Sequence, residues 1–496
     1  MLQNKAKIEK FDVPKEVLGI ASALKGAGFE AYLVGGCVRD LFMRREPKDW
    51  DVTTNARPEE ITPLFPKTFY ENEFGTVGVV NEDVSSETLK IIEVTPYRLE
   101  GRYADKRHPD SVTFTGNIEE DLKRRDFTIN AIAYDSQTGD VIDPFGGVSD
   151  LARGVIKAVG NPIDRFQEDG LRILRAVRFH VELGFPLDYE TEKAISESSH
   201  ILKKVSYERI RDEFVKIIMS TQPMNGLLLL KKLNLLSTQI PELEAAIGIE
   251  QNKAHAYDVW THLLKTVQHS ADKKYPLHVR LAALLHDISK PETRRWNDET
   301  KQWTFYGHEV RGSRVTRRIL ERLKFSREIT ERVSILVRWH MFFSDTETIT
   351  HSAVRRLAAN VGKENVWDLM NVRICDRIGT GRPKENPYRL RKYKAMLEEV
   401  MTDPISLSML KINGSKIMEL THEKPGPRLG NTLYALFNEV IENPKLNTEK
   451  YLSERVMELS KMSDKELMVI GEKGKQIKGN YEEARVKEIH TKYHVE

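Results

Sequence analysis

The stretch VGGCVRDLFMRREPKDWDVTT, Val34–Thr54, decides how the first third of the chain folds. Gly35 and Gly36 sit between a strand-like run and a helix-compatible one. Glycines in that position let backbone amides approach a phosphate chain, and the helix start that follows favours negative charge. In KDWDVTT (Lys48–Thr54), alternate residues of a strand share a face, so Asp49 and Asp51 point together while Trp50 points away. Two carboxylates on one face repel each other unless a cation lies between them. Mg²⁺ is the hard, oxygen-seeking choice, shared between one or two carboxylates and substrate phosphates. Taken singly, a Gly-Gly turn is an ordinary turn and a D-x-D strand an ordinary hairpin edge. In succession they predict a metal-dependent phosphate site.

Outward from that stretch, Ala31–Val34, Trp50–Thr53, Thr76–Val80, Leu89–Val94 and Ala131–Tyr134 are short, β-branched and bounded by turn residues, so they read as strands. Glu93, in IIEVT, is either a third carboxylate for the pair or a solvated strand residue. After Pro162 the periodicity becomes helical. In DGLRILRAVRFHVELGF (Asp169–Phe185), Arg172, Arg175 and Arg178 recur every three residues and line one helix face, with apolar residues on the others. Such a stripe repels itself without an anion, and a triphosphate or an RNA backbone would supply one. Pro383 and Pro387 mark a linker, and a Lys/Glu-rich tail that frays is expected at the end.

The region from Ala254 to Gly379 is helical and rich in histidine. His262, the His286–Asp287 doublet, His308, His340 and Asp376 carry imidazole and carboxylate, the ligand types expected for Mn, Fe, Ni or Zn. A site spread over several helices is how bundles build metal centres.

With 496 residues the chain predicts about three globular units. Charged residues make up 30% and the net charge is +3, which excludes a histone-like polycation but leaves local basic patches open. Two cysteines, Cys37 and Cys375, cannot build a disulfide framework or a thiolate metal site, and no run approaches the roughly 18 apolar residues of a membrane span. A cytoplasmic protein with no membrane partner is expected.

The motifs resemble those of the polymerase-beta-like nucleotidyltransferase superfamily, and within it the bacterial-type (class II) tRNA CCA-adding enzymes and their poly(A) polymerase relatives. RRDFTINAIAYD (Arg124–Asp135) resembles the ribose-selecting segment, EDGLRILRAVRF (Glu168–Phe179) the base-selecting helix, and YERIRDEF (Tyr207–Phe214) the motif after it; DPFGGVSDL (Asp143–Leu151) falls between the first two as in the family. The resemblance implies a mixed-sheet α/β head at 1–160, an all-α neck at 161–250, an HD domain at 251–385 and a helical body and tail at 386–496 that grips tRNA.

It also implies two Mg²⁺ ions on Asp49 and Asp51, with Gly35, Gly36 and Arg39 at the triphosphate. Arg125, Asp126 and Asn130 would stand at the ribose, and Asp169 and Arg172 at the base. Arg98–Val112 resembles the loop with which the family switches from C to A addition. FPKTFYENEFGTVGVV (Phe65–Val80) lacks the Arg-rich stretch of poly(A) polymerases. The implied reaction is addition of C, C and A to the tRNA 3′ end from CTP and ATP; poly(A) synthesis or A-only addition are its relatives. The order of His262, His286, Asp287, His308, His340 and Asp376 is similar to that of HD phosphohydrolases, with Ser289 where that family often has Gly. A transition metal and hydrolysis of a phosphomonoester or 2′,3′-cyclic phosphate are implied, or else a domain kept as scaffold. Rival classes are an HD phosphohydrolase with a non-catalytic RNA-binding head, and a tRNA-binding protein without catalysis.

Overall fold

The computed structural model describes residues 5–7, 10–70, 75–100, 112–252, 256–342, 349–401 and 407–495. Most of the Arg98–Val112 loop lies outside the described residues. The chain divides into two units, Met1–His340 with Asn371–Arg382, and Met341–Met370 with Pro383–Glu496.

The first unit opens with strands β1 (Lys5–Lys7), β2 (Tyr32–Val34), β3 (Asp51–Thr54), β4 (Thr68–Tyr70), β5 (Val77–Val80), β6 (Ile91–Pro96), β7 (Arg98–Glu100), β8 (Val112–Phe114), β9 (Ala133–Tyr134) and β10 (Asp140–Ile142). Eight of them form one sheet in the order β1-β10-β9-β2-β3-β6-β5-β4, while β7 and β8 pair separately. Only β3 and β6 run parallel within that sheet, with Asp51 opposite Glu93. The alternation of β6 explains the arrangement: Ile92 and Val94 enter the core with Val52, Leu33 and Trp50, so Glu93 takes the other face. The helices Lys15–Gly26 and Gly36–Phe42 cover the apolar face through Val17, Ile20, Leu24 and Val38. The mixed α/β head read from the sequence is present. Asp49 differs in detail, lying in the bend that leads into β3 rather than in the strand itself.

A helical region follows, built on Leu171–Leu183, Tyr207–Met219 and Pro223–Lys232. Beyond it Val259–Asp272, Leu277–Leu285, His308–Arg322, Arg327–Trp339 and the Asn371–Gly379 end of a further helix complete the first unit. A hairpin of β11 (Arg295–Asn297) and β12 (Gln302–Thr304), paired through Trp296 and Trp303, interrupts the helices. Among the described residues, no helix is long and apolar enough to cross a membrane.

The second unit is helical, with a core of Ile417, Leu436, Phe437, Leu452 and Val456. Its tail is one helix, Asp464–Tyr493, rather than a frayed end. A Ser463–Glu466 capping box starts it. Gly471 and Gly474 let it lie against Pro427–Glu442, where a Cβ would meet Asn431 at 2.7 Å and the Tyr434 carbonyl at 2.2 Å.

One close approach sets the head's geometry. The helix Gly147–Arg153 abuts the turn Thr128–Asn130, and a Cβ on Gly147 would stand 2.1 Å from the Thr128 carbonyl oxygen. Backbone cannot swing aside as a side chain can. Gly147→Ala should therefore cost about 1–3 kcal/mol and lower the thermal unfolding midpoint measured by circular dichroism. An unchanged midpoint would contradict this packing.

Candidate functional site

A cleft of about 790 Å³ opens in the first unit, and its lining gathers Gly35, Gly36, Arg39, Asp49, Asp51, Arg125, Asp126 and Asn130 of the head with Asp169, Arg172, Arg175 and Arg178 of the helical segment that follows; Glu93 is not among its lining residues. They come from segments more than a hundred residues apart, joined by the sheet and the helix Leu171–Leu183. Gly35 has φ of 80°, a conformation that favours glycine. A Cβ there would stand 3.3 Å from the Asp51 carboxylate and 3.1 Å from the Arg125 guanidinium, while one at Gly36 would stand 3.5 Å from Asp49. The two glycines thus keep the space beside both aspartates clear. Those carboxylates on a cleft floor are the oxygen donors that suit Mg²⁺.

Next to them is a hydrogen-bonded chain of side chains. Arg39 Nη1 donates to Asn130 Oδ1 at 3.0 Å, Asn130 Nδ2 donates to Asp126 Oδ1 at 3.3 Å, and Arg175 Nε donates to Asp126 Oδ2 at 2.7 Å. Burial alone would raise the Asp126 carboxyl, but the Arg175 guanidinium outweighs it and holds the group down to about 2.

The arginine stripe is not left to repel itself. Arg172 is bonded to Glu168 at 2.6 Å and to the Arg165 and Arg124 carbonyls, Arg175 to Asp126, and Arg178 to Glu213 at 2.7 Å and Glu182 at 3.1 Å. This corrects the expectation that an anion from outside must hold the stripe together. The protein supplies carboxylates for all three. Arg172 spends three of its five N–H donors on these contacts.

Asp169 is also engaged, in a two-pronged pair with Arg209, whose Nη1 and Nη2 donate to its two oxygens at 3.1 and 2.7 Å. Oδ1 also accepts from the Leu171 N–H at 3.0 Å, so Arg209 and Leu171 orient Asp169 and leave Oδ2 able to accept a further bond. Sequence reading missed Arg209 and Glu213. Both lie in the quoted YERIRDEF motif, one helical turn apart, and that spacing was the available signal.

The second constellation is also assembled, and it is buried. His262 Nε2 and His286 Nε2 are 2.9 Å apart, and Asp287 Oδ2 is 3.3 Å from both. Asp376 Oδ1 lies 3.4 Å from His262. On its other side Asp287 Oδ1 is 3.2 Å from His308 and 3.5 Å from His340. The Nδ1 atoms of His286, His308 and His340 each face a backbone carbonyl, of Ala283, Phe305 and Val337, at 2.7–2.9 Å. Donating there leaves each Nε2 lone pair aimed at the cluster, the orientation metal-ligating histidines take.

Facing lone pairs require a proton or a metal ion between them. Burial alone would discharge His286, yet Asp287 and Asp376 outweigh it and push the imidazole up to about 10, so a proton and a metal ion would compete for its Nε2 lone pair. The donor set fits a divalent transition metal. Lys290, also missed from the sequence, places its buried ammonium 2.6 Å from Asp287 Oδ2.

With this geometry in place, the comparisons bear on the family. Residues 31–157 match the family "Poly A polymerase head domain". Residues 184–247 match "Probable RNA and SrmB- binding site of polymerase A", and 254–380 match "HD domain". The chain is 49% identical over 213 residues to the CCA-adding enzyme of Lactobacillus helveticus, covering 42% of this chain and 52% of that one. Against the CCA-adding enzyme of Anoxybacillus flavithermus it is 44% identical over 230 residues, covering 46% and 56%. The chain thus spans about half the length of the curated relatives it matches. Among solved structures, the CCA-adding enzyme of Bacillus stearothermophilus in complex with CTP aligns with a TM-score of 0.56 and 29% identity, over 90% of this chain and 96% of that one.

The cleft carries a pH-dependent ion pair. Because the folded pKa of Asp126 is depressed, its pairing stabilises the protein fully above the unfolded value of about 3.9, and that contribution is lost as pH falls toward 2. Asp126→Asn should cost about 2–3 kcal/mol near pH 7 by denaturant unfolding, with the gap narrowing below about pH 4. A gap independent of pH would contradict the pairing.

Proposed function

We propose that the protein adds C, C and A to the 3′ end of tRNA from CTP and ATP, without a nucleic-acid template, and that its HD centre is a metal-dependent phosphohydrolase. One observation carries the first part: a single cleft collects the two aspartates, the Gly-Gly turn, the Arg39–Asn130–Asp126–Arg175 chain and the Asp169–Arg172 pair. The likeness to CCA-adding enzymes, one solved with CTP, supports the same reading.

Asp49 and Asp51 would hold Mg²⁺, with Glu93 beside Asp51 across the parallel strands as a further carboxylate. Mg²⁺ supplies neutralisation of the triphosphate and acidity at the attacking hydroxyl. In the reaction the RNA 3′ oxygen bonds to the α-phosphorus and the bond to the β-phosphate bridge breaks, releasing pyrophosphate. Gly35, Gly36 and Arg39 approach the triphosphate. Arg125, Asp126 and Asn130 hold the ribose.

Asp169 offers acceptors and Arg172 donors to the base. Cytosine and adenine both pair an exocyclic amine with a ring-nitrogen acceptor, whereas uracil and guanine turn a carbonyl toward the carboxylate. At the HD centre, His262, His286, Asp287, His308, His340 and Asp376 would hold a divalent transition metal, which supplies Lewis acidity toward a phosphoester. Lys290 keeps a positive charge beside Asp287.

Purified protein given tRNA lacking its terminal nucleotides, with labelled CTP and ATP, should yield a product ending in CCA. Asp49→Ala or Asp51→Ala should lower the rate on the order of 10³-fold or more, with tRNA affinity nearly unchanged because that affinity comes from basic groups elsewhere. Extension by the double variant would overturn the assignment. His286→Ala combined with Asp287→Ala should abolish hydrolysis of 2′,3′-cyclic phosphates and leave CCA addition intact. If the wild type hydrolyses nothing with Mn²⁺, Ni²⁺, Co²⁺, Zn²⁺ or Mg²⁺, the HD domain is a scaffold.

A further inference from the structure

The cleft holds one aromatic ring among its described lining residues, Phe179, and three guanidiniums converge on it. The Cζ of Arg178 lies 4.2 Å from the ring centroid, and those of Arg39 and Arg175 lie 5.4 Å from it. All are within the roughly 6 Å over which a ring's negative face attracts a cation. Phe179 is itself buried and packs edge-to-face on the fully buried Phe127, with centroids 5.6 Å apart at 86°. The ring therefore has a fixed place.

Arg39, which Asp40 holds, and Arg175 are linked through Asn130 and Asp126, while Arg178 is held by Glu213 and Glu182. The Phe179 ring is within reach of all three. Arg172, on the same stripe, is instead tied to Glu168 and two carbonyls. The stripe is thus split, with Arg172 beside Asp169 and the other two arginines grouped with Arg39 around the ring.

We propose that Phe179 is a positioning residue whose π-face assembles Arg39, Arg175 and Arg178 into the clamp for the nucleotide's triphosphate, apart from the base-reading Asp169 and Arg172. The inference rests on the nucleotidyl-transfer reading. Each of the three guanidiniums is paired with a carboxylate yet keeps N–H donors that a polyanion can take. The ring draws them together without adding further negative charge that would repel phosphate.

The test replaces Phe179 with 4-fluoro-, 3,4,5-trifluoro- and pentafluorophenylalanine, which keep the ring's shape while draining its negative face. Steady-state extension of tRNA lacking its terminal nucleotides is measured for each protein. KM for CTP and ATP should rise stepwise, reaching about tenfold in the pentafluoro protein, while kcat and KM for tRNA stay within about twofold. Phe179→Tyr, which retains the π-face, should keep KM within about threefold of wild type. A flat series would mean that the ring only packs, and would overturn the proposal. A rise confined to KM for tRNA would overturn it too, assigning the arginines to the RNA backbone. Absence of any NTP-dependent extension by the wild type would remove the transfer reading itself, an outcome distinct from a flat series on an active enzyme.

Discussion

A carboxylate taken out of water must meet positive charge or hydrogen-bond donors, because an unpaired buried charge costs several kcal/mol. That constraint organises the first unit. Asp121 is fully buried against Arg124 and Arg125, Asp126 and Glu213 are buried against Arg175 and against Arg178 with Lys216, and the partly buried Asp169 faces Arg209. These pairs tie the turn Arg124–Asn130 to the helix Leu171–Leu183, and that helix to Tyr207–Met219. The sheet places Asp51, but the ion pairs set where the nucleotide-facing side chains stand relative to it. At the HD centre the same constraint takes another form: two carboxylates, four imidazoles and the Lys290 ammonium share one buried volume, which a divalent cation would complete.

How much of this could be read in advance follows from the range of each interaction. The alternation in Lys48–Thr54 needs only neighbouring residues, so the burial of Trp50 away from Asp51 was accessible to a local reading, whereas the register that sets Glu93 opposite Asp51 joins separate strands and was not. The His and Asp ligands were accessible as types in order. The partners of Arg175 and Arg178 were not, since Asp126 and Glu213 lie 49 and 35 residues away and only the fold brings them near. The stripe therefore looked self-repelling when it is paired.

Short edges were lost for a different reason. β1, β4 and β10 have three residues each, too few to show a period, and the Trp296–Trp303 hairpin sits in a run that is otherwise helical. The final helix was misjudged from its Lys/Glu content. Two of its three glycines, Gly471 and Gly474, which weaken an isolated helix, are where this one lies against its neighbour.

The two centres ask different things of similar side chains. In the cleft, arginines are neutralised by protein carboxylates yet retain donors, which is the pre-oriented set that the proposed nucleotide would enter. In the second cluster backbone carbonyls fix the imidazoles of His286, His308 and His340, so three of the four candidate histidine ligands are already oriented. The central claim is that side chains already oriented by one another choose the base, with Asp169 steadied by Arg209 as the acceptor. Single-turnover incorporation of all four nucleotides by wild type and Asp169→Ala tests it most directly. The account predicts that C and A incorporation falls far more than U or G, flattening a preference of about 5- to 150-fold. An equal fall for every nucleotide, with the ratio of C to U unchanged, would contradict it.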